Sequence, residues 1–250
     1  MGRLDELVAV VTGAASGFGR GIAEAFASEG AKVVIADLDG ERAEAAAAAI
    51  GGQAIAVRGD VTKRTHVEGF IDAAVGQFGR LDIVVNNAGT THTNKPALEV
   101  TEAEFDRIYA VNVKSIYLMT LAAVPAMEKQ GGGVIINTAS TAGIRPRPGL
   151  TWYNGSKGAV ITLTKSLSAE LAPKKIRVNA INPVIGETGM LESFMGRPDT
   201  PENREKFVAT IPLGRMSRPS DIANAAVFLA DPASEFITGV ALEVDGGRCV

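Results

Sequence analysis

Tyr153 and Lys157 stand four positions apart in the stretch TWYNGSKGAV (151–160), which otherwise reads as small and helical. Positions i and i+4 share a helix face, so a phenol and an ammonium would be presented to one point. A free phenol titrates near pH ~10 and is a poor base at neutrality. Lowering it to ~7 requires about 4 kcal/mol of preference for the phenolate, and one neighbouring cation supplies ~1–3 pKa units. Lys157 could therefore do most of the work of lowering a phenol on the same helix face.

A second signal lies in VVTGAASGFGRGIAEAF (10–26), where Gly13, Gly17 and Gly19 separate an apolar run from an amphipathic helical pattern. Glycines there let backbone approach a diphosphate lying on a helix N-terminus, where free N–H groups favour an anion. The spacing G-x-x-x-G-x-G departs from the G-x-G-x-x-G fingerprint, and a strand-to-helix turn favours glycine for steric reasons alone. Asp37 strengthens the ligand reading: it falls at the end of the next apolar run, 18 residues after Gly19, where an acid would hold ribose hydroxyls. As a strand-end turn residue in ADLDG it has a plainer role.

The elements that must position these groups follow from the hydrophobic pattern. Short β-branched runs at 8–13, 32–37, 54–60, 81–89, 133–140, 176–183 and 241–247 alternate with helical stretches at about 17–29, 41–50, 63–78, 101–129 with a break near Asn112, 153–172 and 219–230. Near-continuous apolar strands alternating with helices predict an α/β fold: a single Rossmann-like, doubly wound domain over residues 1–250, with a seven-stranded parallel sheet flanked by helices on both faces. The alanine-rich EAAAAAI (44–50) reads as an outer helix, since alanine is the best helix former. From about Pro183 to Asp199 the periodicity fails, and the segment at about 183–215 is expected to be an irregular substrate loop.

Composition sets the remaining limits. At 250 residues, with 46% hydrophobic content and net charge −3, the chain can bury an ample core and shows no basic stripe for nucleic acid. No charged-plus-apolar leader precedes the first strand, and no run of ~18 apolar residues is seen to span a bilayer, so a cytoplasmic protein without membrane partners is expected. Cys249 is the only cysteine, and His66 and His92 have no ligands at metal spacing, so no metal is expected and both histidines read as ordinary surface or loop residues.

TGAASGFG (12–19), NNAG (86–89), Asn112, Ser140 and YNGSK (153–157), in this order, resemble the short-chain dehydrogenase/reductase family, and the likeness covers essentially the whole chain. It implies an enzyme acting on CH–OH groups, with Tyr153 as general acid/base, Ser140 hydrogen-bonded to the substrate oxygen, Lys157 on the nicotinamide ribose and Asn112 holding a water in a proton relay. Ser140 as a strand end, Asn112 as a kink residue and Tyr153 as a core residue are the plain alternatives. The resemblance further implies NAD as cofactor, held by Gly13, Ser16, Gly17, Phe18, Gly19, Asp37, Leu38, Asp60, Val61, Asn87, Ala88, Gly89, Tyr153, Lys157, Pro183, Gly186 and Thr188, and a homotetramer.

Within that likeness the substrate is a secondary alcohol or ketone, with a catabolic alcohol, polyol or hydroxy-acid dehydrogenase ahead of a 3-oxoacyl-thioester reductase; a non-catalytic dinucleotide-binding protein of the same fold is a further reading. Two departures stand out: Val184 replaces the usual glycine in NPVIGETGM (182–190), which puts Gly186 where a β-branched residue is normal, and Phe18 replaces the commoner isoleucine. Arg145 and Arg147 lie in the loop from Ser140 to Tyr153, where guanidiniums could recognise a carboxylate or phosphate. A solvated loop or subunit contact stiffened by Pro146 and Pro148 is the preferred reading of both.

Overall fold

A computed structural model describes residues 2–250. Seven strands, β1 (Val8–Thr12), β2 (Lys32–Asp37), β3 (Ala54–Arg58), β4 (Ile83–Asn86), β5 (Gly133–Thr138), β6 (Ile176–Pro183) and β7 (Ala241–Val244), form one sheet in the order β3-β2-β1-β4-β5-β6-β7. Every pairing is parallel, with Val10 opposite Val34 on one side and Val84 on the other. Both faces are covered, which is why the central strands read as near-continuous apolar runs rather than alternating ones.

The helices are α1 (Gly17–Ser28), α2 (Gly40–Ile50), α3 (Arg64–Phe78), α4 (Glu102–Tyr109), α5 (Ser115–Lys129), α6 (Thr151–Leu171), α7 (Leu191–Met195), α8 (Pro201–Val208) and α9 (Pro219–Ala230). On one face Ile22 and Phe26 of α1 bury against Ile222 and Leu229 of α9 and the sheet. On the other, Phe70 of α3 and Leu118, Met119 and Met127 of α5 form the second core layer. Thr101 and Glu104 start α4 with reciprocal bonds: Thr101 N–H donates to Glu104 Oε2 at 2.8 Å and Glu104 N–H donates to Thr101 Oγ1 at 3.3 Å.

The break expected near Asn112 is a π-helical turn, Ala110–Lys114, joining α4 to α5 without interrupting the helix. The continuous helix Glu102–Lys129 is, contrary to the expectation from composition, long and apolar enough to cross a membrane, with mean hydropathy 1.3 over its best window. Leu118, Met119, Ala123 and Met127 spend that apolarity on the sheet. The segment at about 183–215 is also more ordered than its sequence suggests. It contains α7 and α8 around a small core of Val184, Ile185, Leu191, Met195, Ile211 and Met216. Pro201 at the first turn and the Thr200 hydroxyl, which accepts from Asn203 N–H at 3.3 Å, start α8 within a polar stretch of little hydrophobic periodicity.

The strand order reverses between β1 and β4. Connections leave these strands in opposite directions and open a crevice beyond their C-terminal ends, where Thr12, Asp37, Asn86, Thr138 and Pro183 lie.

Candidate active site

The crevice contains a cavity of about 450 Å³. At one end the glycine turn lies against β4. Gly13 and Gly17 hold φ of +63° and +57°, which favour glycine, and a Cβ at Gly19 would stand 2.2 Å from the Gly13 carbonyl oxygen. Asn87 fastens the turn: its Nδ2 donates to the carbonyls of Thr12 (2.9 Å) and Gly13 (3.2 Å), while Asn87 and Ala88 N–H donate to Thr12 Oγ1 at 3.0 and 3.1 Å. Ser16 is the N-cap of α1 and makes no side-chain cap bond, so the first-turn N–H groups are open to an anion. Asp37 is held on both carboxylate oxygens, by Ala15 N–H at 3.0 Å and Asp39 N–H at 3.1 Å. Leu38, Asp60 and Val61 complete this end, and Asp60 is fixed by Thr62 N–H and Oγ1 at 2.8 and 2.7 Å.

At the other end Tyr153 and Lys157 emerge from the first turns of α6, 5% and 4% exposed. Burial pushes the phenol up to about 12, against a hydrogen bond with the Ser140 side chain and the Arg147 charge, both of which favour ionisation. Burial pulls the Lys157 ammonium down to about 8. Its Nζ donates to the Thr138 carbonyl at 2.8 Å and stands 5.8 Å from the centroid of the Tyr153 ring. The cation expected to depress the phenol is therefore engaged elsewhere, and Ser140 and Arg147 oppose the burial instead. With no cofactor the phenol is protonated at neutral pH and is an acid.

Asn112 is buried behind this wall, in the π-turn. Its Oδ1 accepts from Thr90 N–H at 2.8 Å, and its Nδ2 donates to the Thr90 carbonyl at 2.9 Å and Ser156 Oγ at 3.0 Å. The side chain is thus fully used in fixing the loop after β4 to α6. In the same turn the Ser115 hydroxyl donates to the Val111 carbonyl at 2.5 Å.

The two departures at Phe18 and Gly186 are one feature. A Cβ on Gly186 would meet Phe18 Cζ at 2.3 Å, so the bulk missing from the loop after β6 is returned by the phenylalanine of the glycine turn. Gly186 also forms an isolated parallel bridge with Ser217, which ties this loop to the segment before α9.

Of the seventeen expected cofactor positions all but Gly19 line the cavity, as do Ser140, Tyr153 and Lys157; Gly19 and Asn112 stand behind its wall. Arg147 lines the cavity, contrary to the solvated-loop reading, because the loop folds back under α8 and sets its guanidinium 5.0 Å over the Phe207 ring. Arg145 does not line it: it is exposed and donates to the Arg248 carbonyl. His92 is buried rather than at the surface, with Nδ1 2.9 Å from the Thr93 carbonyl and Nε2 unpartnered. His66 Nδ1 accepts from Asp60 N–H at 3.0 Å. Among the described residues no group of His, Cys, Asp or Glu is placed to hold a metal ion. Sequence reasoning missed Thr138, whose role is a backbone carbonyl and so independent of side chain. It also missed Phe194, edge-on to Tyr153 at 5.1 Å, which is brought in by the weakly patterned α7.

A family model described as enoyl-(acyl carrier protein) reductase matches residues 13–248. A 4-formylbenzenesulfonate dehydrogenase of Comamonas testosteroni is 55% identical over 98% of both chains. A 7alpha-hydroxysteroid dehydrogenase of Escherichia coli is 39% identical over 98% of this chain and 95% of the relative. The crystal structure of a 3-ketoacyl-(acyl-carrier-protein) reductase from Brucella melitensis complexed with NADH superposes with a TM-score of 0.94, at 49% identity, covering 99% of this chain and 100% of that one. Matched along its length in sequence and in fold, the chain belongs to the short-chain dehydrogenase/reductase family.

Proposed function

We propose that the protein is an oxidoreductase that interconverts a secondary alcohol and its ketone with NAD(H). The observation that carries this reading is one cavity with a glycine cradle and an acid at one end and the buried Tyr153 beside Ser140 at the other. The residues fit the dinucleotide: a Cβ at Gly19 would intrude on the turn, the α1 N-terminus is open, and the Asp37 oxygens are aimed by two backbone N–H groups. When bound, the nicotinamide supplies or accepts the hydride. Gly13, Gly17 and the α1 N-terminus take the diphosphate, Asp37 the adenosine ribose, and Pro183, Gly186 and Thr188 flank the nicotinamide end. The Ser140 hydroxyl orients the substrate oxygen and the Tyr153 phenol gives it a proton during reduction. In oxidation the same oxygen takes the proton back; the Ser140 hydrogen bond and the Arg147 charge favour the phenolate that this requires, and a positively charged nicotinamide nearby would add to them. The π-turn at Asn112, fixed to the Ser156 hydroxyl behind the catalytic pair, is the place for a relay water.

The unit acts as one dinucleotide-binding and catalytic domain over 1–250, with 183–215 closing the substrate side, and assembles as a cytoplasmic homotetramer. The relatives named for a hydroxysteroid and for cyclopentanol favour alcohol oxidation, and Asp37 fits NAD. A 3-oxoacyl-thioester reductase is the second reading, favoured by the name of the superposed structure; turnover of acetoacetyl thioesters against secondary alcohols separates the two. In Tyr153→Phe, which keeps the ring packing on Phe194, kcat falls ~10²–10⁴-fold while NADH affinity, followed by nicotinamide fluorescence, changes little. A variant retaining most of its kcat refutes the assignment.

A further inference from the structure

Beside the catalytic cavity lies a second one of about 260 Å³, and Arg147 is the residue that lines both. Its walls carry four cations, Arg147, Arg197, Lys206 and Arg248, and no carboxylate. Part of this wall is a helix face: Asn203, Lys206, Phe207 and Thr210 follow the i, i+3, i+4, i+7 spacing along α8 and the turn after it. Of the acids nearby, Glu202 and Glu205 of α8 fall outside the lining, and Asp199 and Glu192 are committed on another side. Arg204, outside this stripe, takes both oxygens of Asp199 and lies 3.9 Å from Glu187, and Glu192 Oε1 accepts from Asp199 N–H. Among the described residues none of the four lining cations forms an ion pair with a carboxylate.

Arg147 is the informative member. It is half-buried, one face of its guanidinium lies over Phe207, and burial and the neighbouring Arg248 charge both lower its pKa. A partly desolvated cation beside a second cation, with in-plane N–H groups left over, is unfavourable until an anion joins it. The anion is not the cofactor's diphosphate, because the glycine turn is at the far end of the first cavity, whereas Arg147 stands beside Tyr153.

We propose that Arg147, Arg197, Lys206 and Arg248 form a receptor for an oxyanion carried by the substrate, so that the preferred substrates are secondary alcohols or ketones with a sulfonate or carboxylate remote from the reacting carbon. The proposal rests on the dehydrogenase reading of the adjoining cavity. Planar guanidiniums match either oxyanion in bidentate fashion, and Lys206 adds a mobile point charge at the helix face.

The test compares 4-(1-hydroxyethyl)benzenesulfonate and 4-(1-hydroxyethyl)benzoate with neutral 1-phenylethanol, using the full chain with NAD. The anionic substrates are expected to exceed the neutral one in kcat/KM by about tenfold or more, as charge-assisted hydrogen bonds would give. In Lys206→Gln/Arg248→Gln that ratio should fall about tenfold, and thermal melts will establish that the variant is folded. Which anion gains more distinguishes sulfonate from carboxylate. In parallel, calorimetry of the NADH-loaded protein with 4-methylbenzenesulfonate, which has no reacting alcohol, reads the receptor without turnover; binding should be lost in Arg147→Gln and in the double variant. Sulfonate binding lost in both variants, without oxidation of any alcohol, would leave the receptor standing and sink the dehydrogenase reading. Equal kcat/KM for anionic and neutral substrates, or sulfonate binding unchanged by the substitutions, overturns the receptor.

Discussion

Lys157 buries an ammonium against one backbone carbonyl, and burial brings its pKa from 10.5 down to about 8. Below pH 8 the folded and unfolded chains both carry this proton and the folded one bears the desolvation. Between 8 and 10.5 the folded chain releases it first, so the penalty lifts as pH rises through that window. Tyr153 acts oppositely: its stabilising contribution relative to an ionised phenol is present below pH 10 and is lost as pH rises through about 12. Lys157→Met is therefore expected to stabilise the cofactor-free protein at pH 7 by about 2 kcal/mol, the full shift of ~3 less the bond lost at Thr138. The gain should vanish near pH 10, as urea melts across pH would show. Asp37 makes a comparable statement about charge. A 2′-phosphate beside a carboxylate held on both oxygens costs about 2 kcal/mol after screening, so kcat/KM should favour NAD over NADP on the order of 30-fold. Asp37→Ala should narrow that gap chiefly by losing NAD affinity, and steady-state kinetics with both cofactors would measure it.

At the scale of elements, the loop after β6 and the glycine turn before α1 are matched through Phe18 and Gly186. Gly186→Val alone should cost about 1–3 kcal/mol in thermal or urea unfolding, because its side chain meets the Phe18 ring. Phe18→Ile in the same chain should recover most of that loss, and a coupling energy near zero in the double-mutant cycle would refute the match. Each departure was legible in sequence, but their compensation was not, since 168 positions separate them and only the fold brings them together. The strands were legible because both sheet faces are covered, which keeps the strands rich in Val, Ile and Ala even though buried Asn86, Asn137, Asn179 and Asn182 interrupt them. The helices α7 and α8 were not, because their order comes from Thr200, Pro201 and a six-residue local core rather than from a periodic stripe. Similarly, Arg147 and Arg145 look alike in the loop GIRPRPG, and only tertiary placement sends one to the cavity and the other to the Arg248 carbonyl.

At the scale of the molecule, Tyr117 and Leu121 on α5 and Phe228 and Phe236 in and after α9 leave large apolar side chains in solvent. The proposed homotetramer should appear in light scattering as a mass about four times the 26.0 kDa of the chain, and Tyr117→Glu/Leu121→Glu should lower it. A monomer at micromolar concentration removes the proposal. The reversal of strand order that opens the crevice also governs how the chain comes together. β1 must wait for β4, pairing Val11 with Val85, so the centre of the sheet closes a loop of more than seventy residues that contains β2 and β3. Closing so long a loop delays the gain of contacts until after its entropy has been lost, which makes the step slow. Among the seams of the sheet this one closes the longest loop, and the two halves of the dinucleotide cleft face each other across it. A ligand spanning them acts as a clasp on that seam, and it should protect β1 and β4 amides from hydrogen exchange more than those of β6.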